Sequence, residues 1–525
     1  MNNLRFRIAD PRIRTFLGAD RILRVVQCSG CERWLSCQEI IAHIPKLEHA
    51  EIFPGGEVLL DFGQELFGGI RIISNCYGRI RITFGESVSE ALLSPDQTHC
   101  IHQAELEVPA TGILEYGNTA FRFVRIENTG GKTLQLVNIL AVSLSHNLKE
   151  RGVFSSSDER LNRIWTTARH TLRLCMQEFI VDGGKRDKIV WAGDLLPALH
   201  TLMAAYGEPL IAEQSLDFLI QHTAPDDPQN GIYSYNCWLV IALHDFFLLT
   251  GSREFLEKHL EYLQAMLRKL VSFIGSDGSE KIPGFRFLDW RSSEDPQGIH
   301  AGLQGLLFLA LQRGGMLLKH FGVDTGFLDA ALARMRSCVP ECGGNKLAAA
   351  LQTLSGLADR RCILEQSPLE GIGTFGGFHI LQAKNTLPAL ELIRCFWGSM
   401  LDRGATAFWE DWDLQWLKNT GRIDELPRPG LADLHADFGN YCYRGIRHSL
   451  CHVWASGPLP FLSRRISGIR FTEPGGTKVR FTPDCGDLEY ARIVLPSVHG
   501  DISVELEKGL PPKLALPAGI TLENE

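Results

Sequence analysis

The sequence predicts a multidomain protein in which an (α/α)6 toroid is flanked by N-terminal and C-terminal antiparallel β-sandwich domains. Three observations carry this. Residues 1 to about 150 hold short β-rich runs separated by Gly, Asn and Pro. From about 155 to 455, apolar residues recur at helical spacing in about eleven segments, close to the twelve helices of a six-hairpin toroid. From about 460, strand-like runs return, joined by Pro- and Gly-rich turns. The helical stretch lacks the strand–helix alternation of a TIM barrel or Rossmann sheet. Internal repeats are not visible as sequence identity, so the toroid rests on the helix count together with the resemblance given below, and an irregular α-superhelix is the structural alternative. The expected divisions are 1–152, 153–460 and 461–525.

In the first part, Val58-Leu-Leu-Asp-Phe62, Ile70-Arg-Ile-Ile73, Arg79-Ile-Arg-Ile-Thr-Phe84 and Phe121-Arg-Phe-Val-Arg-Ile126 read as strands of an antiparallel sandwich, a packing module or, alternatively, a carbohydrate-binding one. A boundary is expected at 150–157, where Ser156 and Glu159 have capping-box spacing. Leu161, Ile164, Trp165, Ala168, Leu172 and Cys175 then mark a long amphipathic helix. Further helices are expected at roughly 195–206, 209–222, 235–250, 253–275, 298–322, 326–337, 344–357, 378–403, 430–439 and 443–455. Gly468-Ile-Arg-Phe-Thr472, Lys478-Val-Arg-Phe-Thr482, Ala491-Arg-Ile-Val-Leu495 and Asp501-Ile-Ser-Val-Glu-Leu506 read as strands of the last domain, and Leu516 to Thr521 as its final strand.

At 525 residues, with 45% hydrophobic and 22% charged residues, the chain has the composition of a soluble globular protein of two to four domains. A net charge of -8 and a pI near 6.1 argue against nucleic acid or anionic membranes as partners. The N-terminus lacks an apolar signal core and no stretch approaches eighteen uncharged apolar residues, which predicts a cytoplasmic protein that does not span a membrane. The 14 cysteines are scattered, mostly in apolar runs, and read as reduced core residues. Cys28-Ser-Gly-Cys31 followed by Cys37 opens like a zinc site, but no second CxxC or close His pair completes it, so a β-turn with small thiols is the reading. No metal or cofactor is expected, and the oligomeric state is not legible.

The chemistry gathers in three polar stretches. Val181-Asp-Gly-Gly-Lys-Arg-Asp-Lys-Ile-Val-Trp-Ala-Gly-Asp194 is too Gly-rich for a helix interior and reads as a loop carrying Asp182, Asp187 and Asp194 beside Trp191 and the cations Lys185 and Arg186. An aromatic plate beside carboxylates suits a sugar, which has an apolar face to stack and hydroxyls to hydrogen-bond. The plain alternative is a solvated turn with Asp194 capping a helix. Phe287-Leu-Asp289-Trp290 precedes Glu294-Asp295; helix capping accounts for the latter two, whereas Asp289 and Trp290 are assigned to the pocket. Ala405-Thr-Ala-Phe-Trp409-Glu410-Asp411-Trp412-Asp413 packs three carboxylates and two Trp into five residues. Tyr235 and Trp238 are either pocket or core aromatics.

The first stretch resembles the signature loop of the inverting bacterial α-L-rhamnosidases, Asp-Cys-Pro-x-Arg-Glu or Asp-Cys-Pro-x-Arg-Asp-Glu followed by Trp-x-Gly-Asp, through Asp182, Arg186, Asp187, Trp191, Gly193 and Asp194. It departs in Gly183-Gly184, where the family has Cys-Pro, and in Asp187, where the general-acid Glu falls. The third stretch resembles the family's Thr-x-x-Trp-Glu-x-Trp, placing the general base at Glu410, with Trp409 and Trp412 as family aromatics. Arg447-His-Ser449-Leu-Cys-His452 resembles Ser-Leu-Asn-His, making His452 the pocket histidine. Asp61-Phe-Gly-Gln-Glu-Leu-Phe-Gly-Gly69 and Phe84-Gly-Glu-Ser87 resemble the family's preceding β-sandwich. The resemblance implies a (α/α)6 glycoside hydrolase that removes terminal α-L-rhamnose from small glycosides by inversion. Asp187 and Glu410 would be catalytic; Asp182, Arg186, Trp191, Asp194, Asp289, Trp290, Trp409, Trp412 and His452 would bind substrate. The rivals are a toroid hydrolase for another sugar such as an unsaturated uronide, with Lys185 or Arg186 facing its carboxylate, and a non-catalytic sugar-binding protein.

Overall fold

The computed structural model describes residues 10–35, 48–94, 102–435, 437–438 and 445–523. Its first part is a seven-stranded sheet formed by β1 (Arg12–Leu17), β2 (Arg21–Ser29), β3 (Ala50–Ser74), β4 (Gly78–Gly85), β5 (Gln103–Val108), β6 (Gly112–Asn128) and β7 (Leu134–His146), with a short helix, α1 (Val88–Leu92), after β4. The order is β1-β7-β3-β6-β4-β5, with β2 also on β3. Two of the predicted strands, at 58–62 and 70–73, belong to the single bent strand β3. The Gly-rich stretch between them is a bulge of β3 against β6 rather than a turn: the register jumps between Asp61 and Leu66, and Gly63 takes a φ of 78° that only glycine adopts without strain. The pairing is antiparallel except for β3 with β7, which run parallel, so the antiparallel expectation is corrected there. Ile70, Ile72, Ile80, Ile82, Phe84, Phe121, Val124 and Ile126 form the core of this module.

The strand β8 (Val153–Ser156) follows, in the segment expected to be a boundary, and pairs with a C-terminal strand. Asp158 rather than Ser156 caps the next helix, accepting from the amide of Leu161; the Ser156 hydroxyl is bonded to Asn162 instead, which corrects the capping-box reading. That helix is α2 (Glu159–Cys175). It is followed by α3 (Ala192–Ala205), α4 (Leu210–His222), α5 (Tyr233–Thr250), α6 (Arg253–Lys258), α7 (Leu260–Val271), α8 (Pro296–His320), α9 (Gly326–Met335), α10 (Lys346–Ser355), α11 (Arg361–Glu365), α12 (Thr374–Ala383), α13 (Thr386–Leu392), α14 (Gly398–Asp402) and α15 (Pro458–Ser467). The expected helix 253–275 is broken at His259, whose ring bonds Asp217, and the expected helix 378–403 is three helices with a π turn at Ile393–Trp397. Helix α8 is long and apolar but mostly buried, which makes it a core element.

Contacts run from α3 to α5, α8, α10 and α12, and the 3₁₀ turn Val453–Ser456 closes the circuit between α12 and α3. The helices expected at 430–439 and 443–455 are absent among the described residues there. The first follows Pro427, Pro429 and Gly430. In the second, backbone donors are directed elsewhere: Ser449 N to Glu410, Leu450 N to Glu86, His452 N to Phe408 O and Val453 N to Asp182 O.

The C-terminal strands β9 (Ile469–Phe471), β10 (Lys478–Phe481), β11 (Tyr490–Ser497), β12 (Gly500–Glu507), β13 (Lys513–Ala515) and β14 (Thr521–Leu522) form two small sheets, β14-β10-β9 and β13-β12-β11-β8, antiparallel except for β10 with β14, which corrects the antiparallel expectation there. The expected division at 460/461 falls inside α15, and the expected strand from 516 shrinks to β14. Cys28 and Cys31 flank a left-handed turn at Gly30 and are free thiols; Cys37 lies outside the described residues.

Candidate active site

One cavity, of about 360 Å³ and open to solvent, is lined by Asp182, Asp187, Trp191, Asp194, Ile232, Tyr235, Phe287, Trp290, Glu410, His452 and Trp454. Residues from five distant stretches therefore meet at one place. The stretch from Met176 to Trp191 is a loop between α2 and α3, as its composition predicts. It is pinned to the 449–453 segment by an antiparallel bridge between Gly183 and His452 and by the bond from Val453 N to Asp182 O at 2.7 Å. Trp191 is the N-cap of α3 and makes no side-chain cap bond, so Asp194 sits in the first turn with its carboxyl turned to the cavity.

His452 lies at the centre of the carboxyls: Nδ1 is 3.5 Å from Asp194 Oδ1, and Nε2 is 3.9 Å from both Asp182 Oδ2 and Glu410 Oε1. Asp194 Oδ1 and His452 Nδ1 are buried without a hydrogen-bond partner, which is costly unless a ligand supplies one. Asp182 Oδ1 accepts from Ile189 N at 2.9 Å. Glu410 is fixed by its backbone, with its amide donating to Ser449 O and its carbonyl accepting from Trp454 Nε1 and Thr374 Oγ1. Its Oε2 accepts from Ser449 N at 3.1 Å and from Arg186 Nη2. The other terminal nitrogen of Arg186 bonds Asp187 Oδ2 at 2.5 Å, so one guanidinium touches both carboxylates. Asp187 and Lys188 both have left-handed backbone, with φ of 57° and 55°, a conformation that costs non-glycine residues energy and clusters at functional sites.

Burial dominates the electrostatics. It pushes Asp182 up to about 8 and Asp194 well above the usual carboxylate range, where the neighbouring carboxyls add to the effect. Glu410 is raised too, against the opposing pull of Arg186. His452 is held well below its ordinary value, first by burial and then by Arg186, and is therefore a neutral imidazole with one donor and one acceptor.

The structure does not bring every expected residue to the cavity. Trp409 and Trp412 are fully buried behind Glu410 as an edge-to-face pair 5.1 Å apart, with Trp412 Nε1 bonded to Ser399; a large aromatic next to a site residue can equally be core. Asp289 does not line the cavity; it accepts from Ser292 N, while Trp290 beside it does line the wall. Asp411 and Asp413 are taken up by Arg291. Arg186 reaches the site through the carboxylates that it holds. Trp238 is core, stacked on His379. Sequence reading missed Ile232, Phe287 and Trp454. The latter two are aromatics packed on Trp290 and on His452, and their place in the same short polar stretches is the signal that could have found them. Glu86, Glu90 and His435 bring possible ligand atoms within 4.8 Å of one another, the spacing of a cation site, but the ammonium of Lys185 lies among them.

Residues 149–303 match the family model of the bacterial alpha-L-rhamnosidase 6 hairpin glycosidase domain. The whole fold is similar to the GH78 family rhamnosidase of Bacillus sp. GL1, with a TM-score of 0.72 at 22% identity over 93% of this chain and 56% of that one. It is similar to the rhamnosidase of Klebsiella oxytoca with rhamnose bound, with a TM-score of 0.70 at 20% identity over 86% and 95%. It is similar also to the Streptomyces avermitilis alpha-L-rhamnosidase complexed with L-rhamnose, with a TM-score of 0.68 at 16% identity over 91% and 50%. In fold, the chain is similar to these rhamnosidases. It spans 56% of the Bacillus chain and half of the Streptomyces one. No curated protein matches it in sequence.

The Gly183-Gly184 pair, at the place of Cys-Pro in the motif that the loop resembles, has a steric account. A Cβ on Gly184 would stand 2.6 Å from the Cβ of Ala120, and one on Gly183 would stand 3.1 Å from Cys451 O, so the β module and the 449–453 segment press on the loop from both sides. Ala120 N also donates to Gly184 O at 3.0 Å.

Proposed function

We propose that the chain hydrolyses terminal α-L-rhamnosides by single displacement with inversion, on a three-part scaffold in which the closed helix circuit is an (α/α)6 toroid between two β-sandwich modules. The observation that carries this reading is the convergence of Asp182, Asp187, Asp194, Glu410 and His452 on one cavity walled by Trp191, Trp290 and Trp454, with two buried polar atoms awaiting partners. The aromatic rings would cover the apolar face of one sugar unit, and Asp194 Oδ1 and His452 Nδ1 would meet its hydroxyls.

Glu410 would activate water. Its Oε2 is anchored by Ser449 N and Arg186, and Oε1 lies toward His452 on the cavity side. Asp187 would protonate the leaving oxygen from the more exposed mouth of the cavity. Carboxylates bound to the two terminal nitrogens of one guanidinium stand on either side of it, which favours separated acid and base with room for water over a contacting pair. Asp182, kept protonated near neutral pH by burial, and Asp194, whose carboxyl burial raises in the same direction, would hydrogen-bond sugar oxygens without transferring protons.

Arg186 favours a second reading as well: a guanidinium that stayed on both Asp187 and Glu410 would leave a sugar-binding protein without turnover. The uronide reading loses one of its two cations, because the Lys185 head group is turned into a buried cage away from the cavity. We place the activity in the cytoplasm, supported by free thiols at the described cysteines. The purified chain is assayed on nitrophenyl glycosides beside an unsaturated uronide, with rhamnose binding followed by calorimetry. Release of rhamnose supports hydrolysis; binding without turnover on any rhamnoside supports the second reading, and turnover of the uronide alone overturns both.

A further inference from the structure

Lys185 departs from ordinary lysine behaviour. A lysine almost never buries its ammonium unless it is paired, yet this one is 1% exposed and surrounded on all sides. Its Nζ lies 2.9 Å from Glu86 Oε2, 3.3 Å from Glu90 Oε1 and 3.0 Å from His435 Nε2, and donates to the carbonyls of Ile446 and His448 at 2.8 Å each. Glu86 and Glu90 come from the end of β4 and from α1, in the N-terminal module; Lys185 stands between Asp182 and Asp187 in the site loop. The same carboxylates reach the opposite wall, since Glu86 accepts from Leu450 N at 2.7 Å and from Ser449 Oγ at 3.3 Å, and Ser449 N in turn donates to Glu410. The backbone on either side of Lys185 is tied to the same module, Lys185 O to His102 Nε2 and Gly184 O to Ala120 N.

We propose that Lys185 is a positioning residue: its ammonium takes the place a metal ion would fill between Glu86 and Glu90, and this tie makes the N-terminal β module part of the sugar site by fixing the loop that carries Arg186 and Asp187. The kinetic part rests on the hydrolase reading above; the structural part does not. Arg186 and Asp187 follow Lys185 directly, and the strained left-handed backbone at 187 and 188 needs such an anchor to persist. Burial pushes Glu90 up to about 7 despite Lys185, so this carboxyl is the one that would take up a proton when the ammonium is removed.

The test compares the full chain with Lys185→Met, which keeps the length and removes the charge, and with the triple variant Lys185→Met, Glu86→Gln, Glu90→Gln, which replaces the whole cage by neutral groups and folds even if the single variant does not. Amide hydrogen exchange is read over 182–189 and over β11–β12 as a remote reference, together with kcat and KM on an alkyl rhamnoside. In both variants, exchange over 182–189 is expected to rise about 100-fold with β11–β12 unchanged. kcat is expected to fall about 100-fold with KM within about threefold, the signature of a displaced catalytic loop rather than a damaged fold. Wild-type protection and kcat in either variant, or equal loss of protection at β11–β12, would overturn the proposal. If the parent chain turns over no rhamnoside, the hydrolase reading fails, and the exchange comparison alone still decides whether the tie holds the loop.

Discussion

Asp182→Asn should stabilise the protein while impairing it, and the gain should depend on pH in one direction. The carboxyl is almost fully buried, and its value is raised from 3.8 to about 8. Below the unfolded value of 3.8 both states hold the proton, so Asp182 costs the fold nothing. As pH rises through the window from 3.8 to about 8, the unfolded chain releases the proton and the native chain keeps it, so stability falls with pH. At pH 7 this spans roughly three pH units, a ceiling of about 4 kcal/mol at 1.36 kcal/mol per unit, with about 2 kcal/mol remaining after relaxation of the site. Asn keeps the shape and the acceptor for Ile189 N and removes this penalty. At about 2.1 cal/mol/K per residue, a chain of 525 residues has an unfolding entropy near 1.1 kcal/mol/K, so the gain corresponds to a Tm increase of about 2–4 °C at pH 7, shrinking toward zero near pH 4. Scanning calorimetry of both proteins from pH 4 to 8 measures it. A Tm that drops at pH 7, or a difference that does not change with pH, would refute the burial argument for this loop.

Asp194→Asn should lower kcat/KM about 10- to 100-fold on a rhamnoside yet leave a measurable rate, because one hydrogen-bonding partner is altered and no proton carrier is lost; unchanged kinetics would remove Asp194 from the site. Asp187→Asn should cost at least about 100-fold on alkyl rhamnosides and far less on nitrophenyl ones, whose leaving groups need no protonation; equal losses on both would argue against an acid role. Trp290→Ala should raise KM about 3- to 10-fold with kcat little changed, as loss of a stacking wall predicts, whereas Trp412→Ala, deep in the core, should lower Tm instead.

The succession of β, helical and β parts, and the loop that carries Asp182 and Asp187, were legible because composition and periodicity report them directly; Asp194, expected in the same loop, sits in the first turn of α3. Glu410 and His452 were also legible, through motif order. What stayed hidden has three physical causes. Trp409 and Trp412 look like their neighbours in composition, and only packing decides that they face the core while Trp290 and Trp454 face the cavity. Residues 448–453 carry apolar spacing that suits a helix, but their amides are drawn to Glu86, Glu410, Phe408 and Asp182, partners remote in sequence. Lys185 read as a cation for substrate, because nothing local signals that Glu86 and Glu90, about a hundred residues upstream, close around it. The pairing of β8 with β11 and the parallel pair β3–β7 are long-range in the same way, and strand propensity is silent about partners.

The central claim is hydrolysis of an α-L-rhamnoside with Glu410 as the water-activating base, and the direct measurement is proton NMR of the reaction from its first minutes, run with the parent chain and with Glu410→Gln. The account predicts β-rhamnose as the first anomer from the parent and no turnover from the variant. α-Rhamnose appearing first, or an active Glu410→Gln, would contradict it.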